Sequence, residues 1–187
     1  MHFQFEHTIQ LPRTVVFAFY ENPANLEVLH SGWSSFRMIR HEGKLHLGCR
    51  FWVEMTVAGI FPVVMGFENT LHEPPQRFGE QIVHGPFSTF SHIHEFDELN
   101  NLNPDRTEKS INPVKLSTHC VSGPSLANVE VKTIVRDLMD IKLPWYYGGE
   151  IAMKLFVAPM LERTFKSRSE ASLHLAQDGT MNQIFNS

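Results

Sequence analysis

Gly85 to Phe96, GPFSTFSHIHEF, is the stretch whose reading decides the fold. A Gly-Pro pair opens it as a turn, and Phe90, His92, His94 and Phe96 then recur at every second position. Side chains alternate sides along a strand, so both histidines share a face with two phenylalanines. Such a face looks inward, and it carries two titratable groups into an interior where they need partners. The run from about Arg77 to His84 is the other arm of a hairpin turning at Gly85-Pro86.

Further along the chain lies its longest clean alternation, Asn128 to Leu143. Val129, Val131, Thr133, Val135, Asp137, Met139 and Ile141 stand on one face, opposite Glu130, Lys132, Arg136, Asp140 and Lys142. An aspartate within a Val/Met/Ile face is costly without a partner, and a histidine across the ladder is the nearest candidate. If the register pairs even positions with odd ones, His92, His94 and Asp137 meet on one side of the sheet. Three readings of this trio stay open. It is a hydrogen-bonded network that fixes register, or a ligand-orienting or proton-transfer group in which Asp137 orients His92 or His94. The third reading is a 2-His-1-carboxylate metal site. Spacing alone supports that one weakly, and no metal is expected.

Working outward from this pair of strands, Phe3, Phe5, His7 and Ile9 form a first half-buried strand. Pro12 opens a helix through Val15, Val16, Phe19 and Tyr20, and a short second helix covers about Ala24 to Leu29. Together they should close one end of the sheet. Phe36 to Glu42 is a strand, and Phe51, Val53, Met55 and Val57, then Phe61, Val63, Met65 and Phe67, are the inner faces of a hairpin that ends at His72-Glu73-Pro74-Pro75. Glu54, between Trp52 and Thr56, belongs to the outer face, and His7 reads as a satisfied core histidine. Leu99 to Ala127, rich in Asn, Pro, Ser and Thr, is expected to be a long hairpin insertion. Glu150 to about Ser169 is the long helical stretch, with Ile151, Leu155, Leu161 and Phe165 on one side and Pro159 bending it. Residues 176–187 read as a polar, flexible tail.

Composition narrows the function classes. With 187 residues, 42% hydrophobic content and 15 phenylalanines, residues 1–175 make one domain with a substantial core. A net charge of −4 without any Lys/Arg cluster offers no field for a phosphate backbone, so no nucleic acid partner is expected. Cys49 and Cys120 stand far apart and in no CxxC spacing, which indicates neither a disulfide framework nor a structural zinc site and suits the cytoplasm. No run of 18 apolar residues is present, so no membrane span is expected. GxSxG, HExxH and Gly-rich phosphate loops are all missing, which removes local support for hydrolase, zinc-protease and nucleotide-binding readings.

A strand, two short helices, six more antiparallel strands and a long C-terminal helix make an α+β element order. The chain resembles the START/Bet v 1-like, or SRPBCC, superfamily of ligand-binding proteins, a group that includes polyketide cyclases. The resemblance rests on Pro12 to Asn25, on PPxRF, GPF and HxHxF within Pro74 to Phe96, on the Asp137 strand ending in Leu143-Pro144, and on Phe165 with Arg168. It implies the helix-grip fold, in which a seven-stranded curved antiparallel sheet wraps the last helix and leaves a hydrophobic cavity.

The expected function is binding of a small hydrophobic or amphipathic ligand in that cavity. Its walls would be Phe51, Val53, Met55, Val63, Met65, Phe67, Phe90, Val135, Met139 and Leu155, with His92, His94 and Asp137 as the polar groups. No cofactor is required. The rival is a polyketide cyclase- or dehydratase-like enzyme with His92, His94 and Asp137 as its catalytic candidates. A third reading is an interaction protein whose cavity is filled by side chains and whose function lies in the insertion or in a homodimer.

Overall fold

The structure, a computed structural model, describes residues 1–30, 36–57, 61–100 and 131–186. The alternating runs form β1 (His2–Ile9), β2 (Phe36–His41), β3 (Arg50–Val57), β4 (Phe61–Glu73), β5 (Arg77–His84), β6 (Thr89–Asn100) and β7 (Val131–Lys142). They join into one curved antiparallel sheet of order β1-β7-β6-β5-β4-β3-β2. From β2 to β7 every strand pairs with its sequence neighbour, and β1 crosses over to pair with β7. His94 lies opposite Asp137 and His92 opposite Met139, which is the register expected from the two apolar faces. On the other side of β6, His92 lies opposite Glu80.

Between β1 and β2 come α1 (Arg13–Tyr20) and α2 (Asn25–Leu29). Val15 and Val16 donate their backbone N–H groups to the Pro12 carbonyl, so the chain turns into α1 directly after the proline. Val15, Val16, Phe17, Phe19 and Tyr20 are buried. Phe17 meets Phe78 and Phe96 edge-on, and Tyr20 meets Phe96 in the same manner, so α1 fills one end of the inner face.

After β7 come a 3-10 turn at Trp145–Tyr147, α3 (Gly149–Ala152), a π turn at Met153–Val157, α4 (Ala158–Gln177) and α5 (Thr180–Phe185). Leu161, Thr164, Phe165, Arg168 and Ser172 form the buried stripe of α4, the i, i+3, i+4 spacing of one helix face. Two expectations about this region are corrected. Ile151 and Leu155 are 72% and 63% exposed and do not meet the sheet. Pro159 has no N–H for the Leu155 carbonyl and its ring crowds that position, and the wider π turn just before it absorbs the conflict by inserting a residue. That insertion rotates the earlier segment outward. The tail expected to be flexible is also partly ordered, because α5 packs on α1 and α4 and buries Met181 completely. Apart from Leu99 and Asn100, which end β6, the expected insertion lies outside the described residues.

Candidate functional site

Three adjacent strands and one helix deliver the polar groups. Glu80 from β5, His92 and His94 from β6, and Asp137 from β7 stand side by side on the inner face, and α4 lays Arg168 above them. All five are buried. His92 has Nε2 3.0 Å from Asp137 Oδ1 and Nδ1 3.3 Å from Glu80 Oε1. His94 has Nδ1 2.7 Å from the same Asp137 oxygen, though not aligned with it for a hydrogen bond, and Nε2 3.6 Å from Glu80 Oε1. Arg168 Nη1 is 3.8 Å from Asp137 Oδ1.

An imidazole whose two nitrogens both face carboxylate oxygens is a double donor, which describes a protonated His92. Burial opposes that charge, but the hydrogen bonds to Asp137 and Glu80 outweigh it and raise the His92 pKa. Burial likewise works against ionising Glu80, yet its hydrogen bonds with His92 and His94 hold it below the usual carboxylate range. Asp137 is held well below its ordinary value despite burial, first by the Arg168 charge and then by the two imidazoles. Two carboxylates, one guanidinium and one imidazolium leave those four groups neutral in sum, as a buried cluster requires.

Beside the cluster, between the sheet and α4, lies a cavity of about 130 Å³. Phe51, Val53 and Met55 of β3, Val63, Met65 and Phe67 of β4, Phe90 and Met139 line it, with Leu161 and Phe165 from the helix. Its polar lining includes Glu80, His92 and Arg168, and also His30 and Thr164. Nine of the apolar and histidine residues expected at the site are therefore gathered around one space, counting Phe51, Val53, Met55, Val63, Met65, Phe67, Phe90, His92 and Met139. Four are not. His94 and Asp137 belong to the polar cluster without lining the cavity, Val135 is packed in the core beside α1, and Leu155 is on the outside of the helix. Nε and Nη2 of Arg168, although buried, have no hydrogen-bond partner among the described residues.

Arg168 is steered by its neighbours. Its guanidinium lies 5.1 Å from the centre of the Tyr20 ring and 5.5 Å from that of Phe165. Tyr20 is itself fixed by a 2.8 Å hydrogen bond between its hydroxyl and that of Ser172. His7 lies 3.3 Å from the Tyr20 hydroxyl, and burial, helped by Arg168 and His94, lowers its pKa to about 4. Glu54 takes no part: it pairs with Arg37 at 3.1 Å, away from the cavity.

No protein-family model matches the chain, and no curated protein matches it in sequence. Solved structures match it in shape. A protein of Thermus thermophilus superimposes with a TM-score of 0.58 over 96% of this chain and 99% of its own, at 13% identity. The Zhui aromatase/cyclase of a Streptomyces species gives 0.57 over 96% and 95%, at 10% identity. An AHSA1-like protein from Aeromonas hydrophila gives 0.55 over 97% and 95%, at 13% identity. The chain has the helix-grip fold. The SRPBCC resemblance read from the sequence therefore holds at the level of architecture, and in this helix-grip protein the gripping helix is α4. Among the described residues no helix is long and apolar enough to cross a membrane.

Within the buried polar cluster, Glu80 and Arg168 are the residues that sequence reasoning did not place in the site. Glu80 had a signal of the same kind as Asp137, since Phe78, Glu80 and Ile82 alternate on one face. Arg168 follows Leu161 and Phe165 by seven and three positions, the spacing of a shared helix face.

Proposed function

We propose that this protein binds a small amphipathic molecule whose polar end is a carboxylate or carbonyl and whose apolar body lies between the sheet and α4. The observation that carries the reading is Arg168. It lines an otherwise largely apolar cavity and keeps two buried N–H-bearing nitrogens without a partner among the described residues. Unpaired buried donors are costly, and an acceptor on a ligand would satisfy them. The cavity of about 130 Å³ is small beside ligand pockets of roughly 300 to 1,000 Å³. Pro86 and Phe87, however, line both it and an outer cleft of about 730 Å³ that runs along Pro144 to Tyr147. A ligand seated on Arg168 would extend past Phe87 into that cleft. The free, buried Cys49 is in keeping with the cytoplasm as the place where binding occurs.

The test is a thermal-shift and fluorescence titration with aliphatic and aromatic carboxylates, each beside its neutral alcohol. Saturable carboxylate binding is expected, lost in Met65→Trp, which fills the cavity in a folded protein. In Arg168→Met it should weaken at least tenfold for the carboxylates and little for the alcohols. A broad set of such compounds that shifts nothing would end the reading.

One observation favours a second reading. His92 directs one N–H to Glu80 at the cavity wall, and a carbonyl held by Arg168 would compete with Glu80 for that proton, the role a cyclase- or dehydratase-like enzyme needs. Mass analysis of bound polyketone probes separates the two readings, because a binding protein returns its ligand unchanged.

A further inference from the structure

We propose that Glu80, His92 and His94 form a binding site for one divalent transition-metal ion, with Asp137 orienting both imidazoles. Each ring turns one nitrogen to Asp137 Oδ1, Nε2 of His92 at 3.0 Å and Nδ1 of His94 at 2.7 Å. Asp137 is an ionised acceptor, so a ring that carries a single proton keeps it on that side. The opposite nitrogens then present lone pairs toward Glu80, Nδ1 of His92 at 3.3 Å and Nε2 of His94 at 3.6 Å from Oε1. One ligand atom from each of Glu80, His92 and His94 lies within 4.8 Å of the other two. Three acceptors converging on one point repel unless a cation stands among them. A second proton on His92 is one such cation, and it satisfies Glu80 through one ring only. A metal ion satisfies all three.

The separations leave room for the ion. Ligand atoms bonded at about 2.1 Å to a tetrahedral or octahedral centre sit roughly 3.0 to 3.4 Å apart. A charge-assisted hydrogen bond would draw the pair in to about 2.7 to 2.9 Å. The Asp137 contacts, at 3.0 and 2.7 Å, are closer than the Glu80 contacts, at 3.3 and 3.6 Å, so the wider gap is on the side where an ion would draw its ligands in. A carboxylate that accepts from the outward nitrogen of His92 and stands against that of His94 is also the support that metal-binding imidazoles use. Imidazole with carboxylate selects zinc, iron, cobalt or nickel over magnesium or calcium. Glu80 and His92 line the cavity, so the remaining coordination positions open into it. The carboxylate ligand is thus Glu80 on β5, and Asp137 is the residue that positions the rings. This site is independent of the amphipathic-ligand reading, because the metal alone is its probe.

The experiment titrates cobalt(II) into chelator-treated full-length protein, followed by visible absorption and calorimetry. One equivalent per chain is expected, with the absorption of a protein-bound ion. Glu80→Gln should weaken binding at least ~100-fold and Asp137→Asn about 10- to 100-fold, while His46→Gln, at an exposed histidine, changes nothing. Equal binding by the parent and Glu80→Gln would mean attachment to surface histidines and would overturn the proposal, as would no stoichiometric binding. Should the variants fail to fold, X-ray absorption of the cobalt-loaded parent decides: two imidazoles with oxygen ligands support the site, and any other imidazole number refutes it.

Discussion

His30 and His92 line the same cavity and are almost equally buried, at 9% and 5% exposure, yet their chemistry is opposite. His30 donates from Nδ1 to the Leu26 carbonyl at 2.7 Å and stacks on Phe36, with ring centres 4.3 Å apart. Burial first, and the Arg168 charge second, lower its pKa to about 4 against the hydrogen bond to the Leu26 carbonyl. It is neutral near pH 7. His92 suffers the same burial, but the register of β5, β6 and β7 places a carboxylate at each of its nitrogens and its pKa rises. What decides the charge of a buried imidazole here is the number of ionised acceptors the sheet puts beside it, more than the depth of burial.

The strongest way to break this contrast is to remove its counter-charge. Asp137→Ala would leave His92 and Arg168 opposed by Glu80 alone and should cost about 3 to 5 kcal/mol in urea unfolding. A variant as stable as the parent would mean that the cluster carries no net buried charge to balance.

The contrast sharpens with pH, and the signs differ. For His30 the folded pKa of about 4 lies below the unfolded value of roughly 6.5, so in that window the unfolded chain binds the extra proton. Stability from His30 is present above pH 6.5 and is lost as pH falls toward 4. Comparing the parent with His30→Gln by urea unfolding at pH 6.5 and 4.5 should show the parent losing about 2 kcal/mol more. His92 acts in the opposite sense: its contribution is full below pH 6.5 and fades as pH rises through its raised folded value. An equal pH dependence in parent and His30→Gln would show that the ring is already charged when folded.

The smallest effect belongs to the outside of the same grip. Leu155→Ser, at a position 63% exposed, should change stability by no more than about 0.5 kcal/mol and leave cavity binding untouched. A loss near that of a buried leucine would put Leu155 back under the helix.

Period-two patterning made most of this architecture readable. It placed His92, His94 and Asp137 on one face and located the apolar walls of β3 and β4, because inner and outer positions of a strand differ in polarity. Glu80 escaped for a specific reason. A central strand has two neighbours, and the search for a partner to His92 went across β7 while the residue directly opposite on β5 carried the second carboxylate. Val135 was legible as buried but not as distant from the cavity, since the inner face of one sheet serves both a packed core beside α1 and an open space beneath α4. Leu155 was illegible in another sense. Its helical spacing from Leu161 and Phe165 assumes an unbroken α-helix, and the only warning of a change in winding was Pro159.

That change in winding makes the helix sensitive to length in a way that no side-chain substitution is. A π turn holds one residue more than the α turn it replaces, and one residue corresponds to about 100° of rotation. Deleting a single residue within Met153–Val157 would restore regular winding and swing the preceding segment around its axis. Ile151 would be swung from its exposed position, and the aromatic turn at Trp145–Tyr147 would shift within the cleft that it lines together with Pro86 and Phe87. The length of this short segment acts as a phase setting: it determines where the protein's own aromatic groups stand in the cleft beside the cavity.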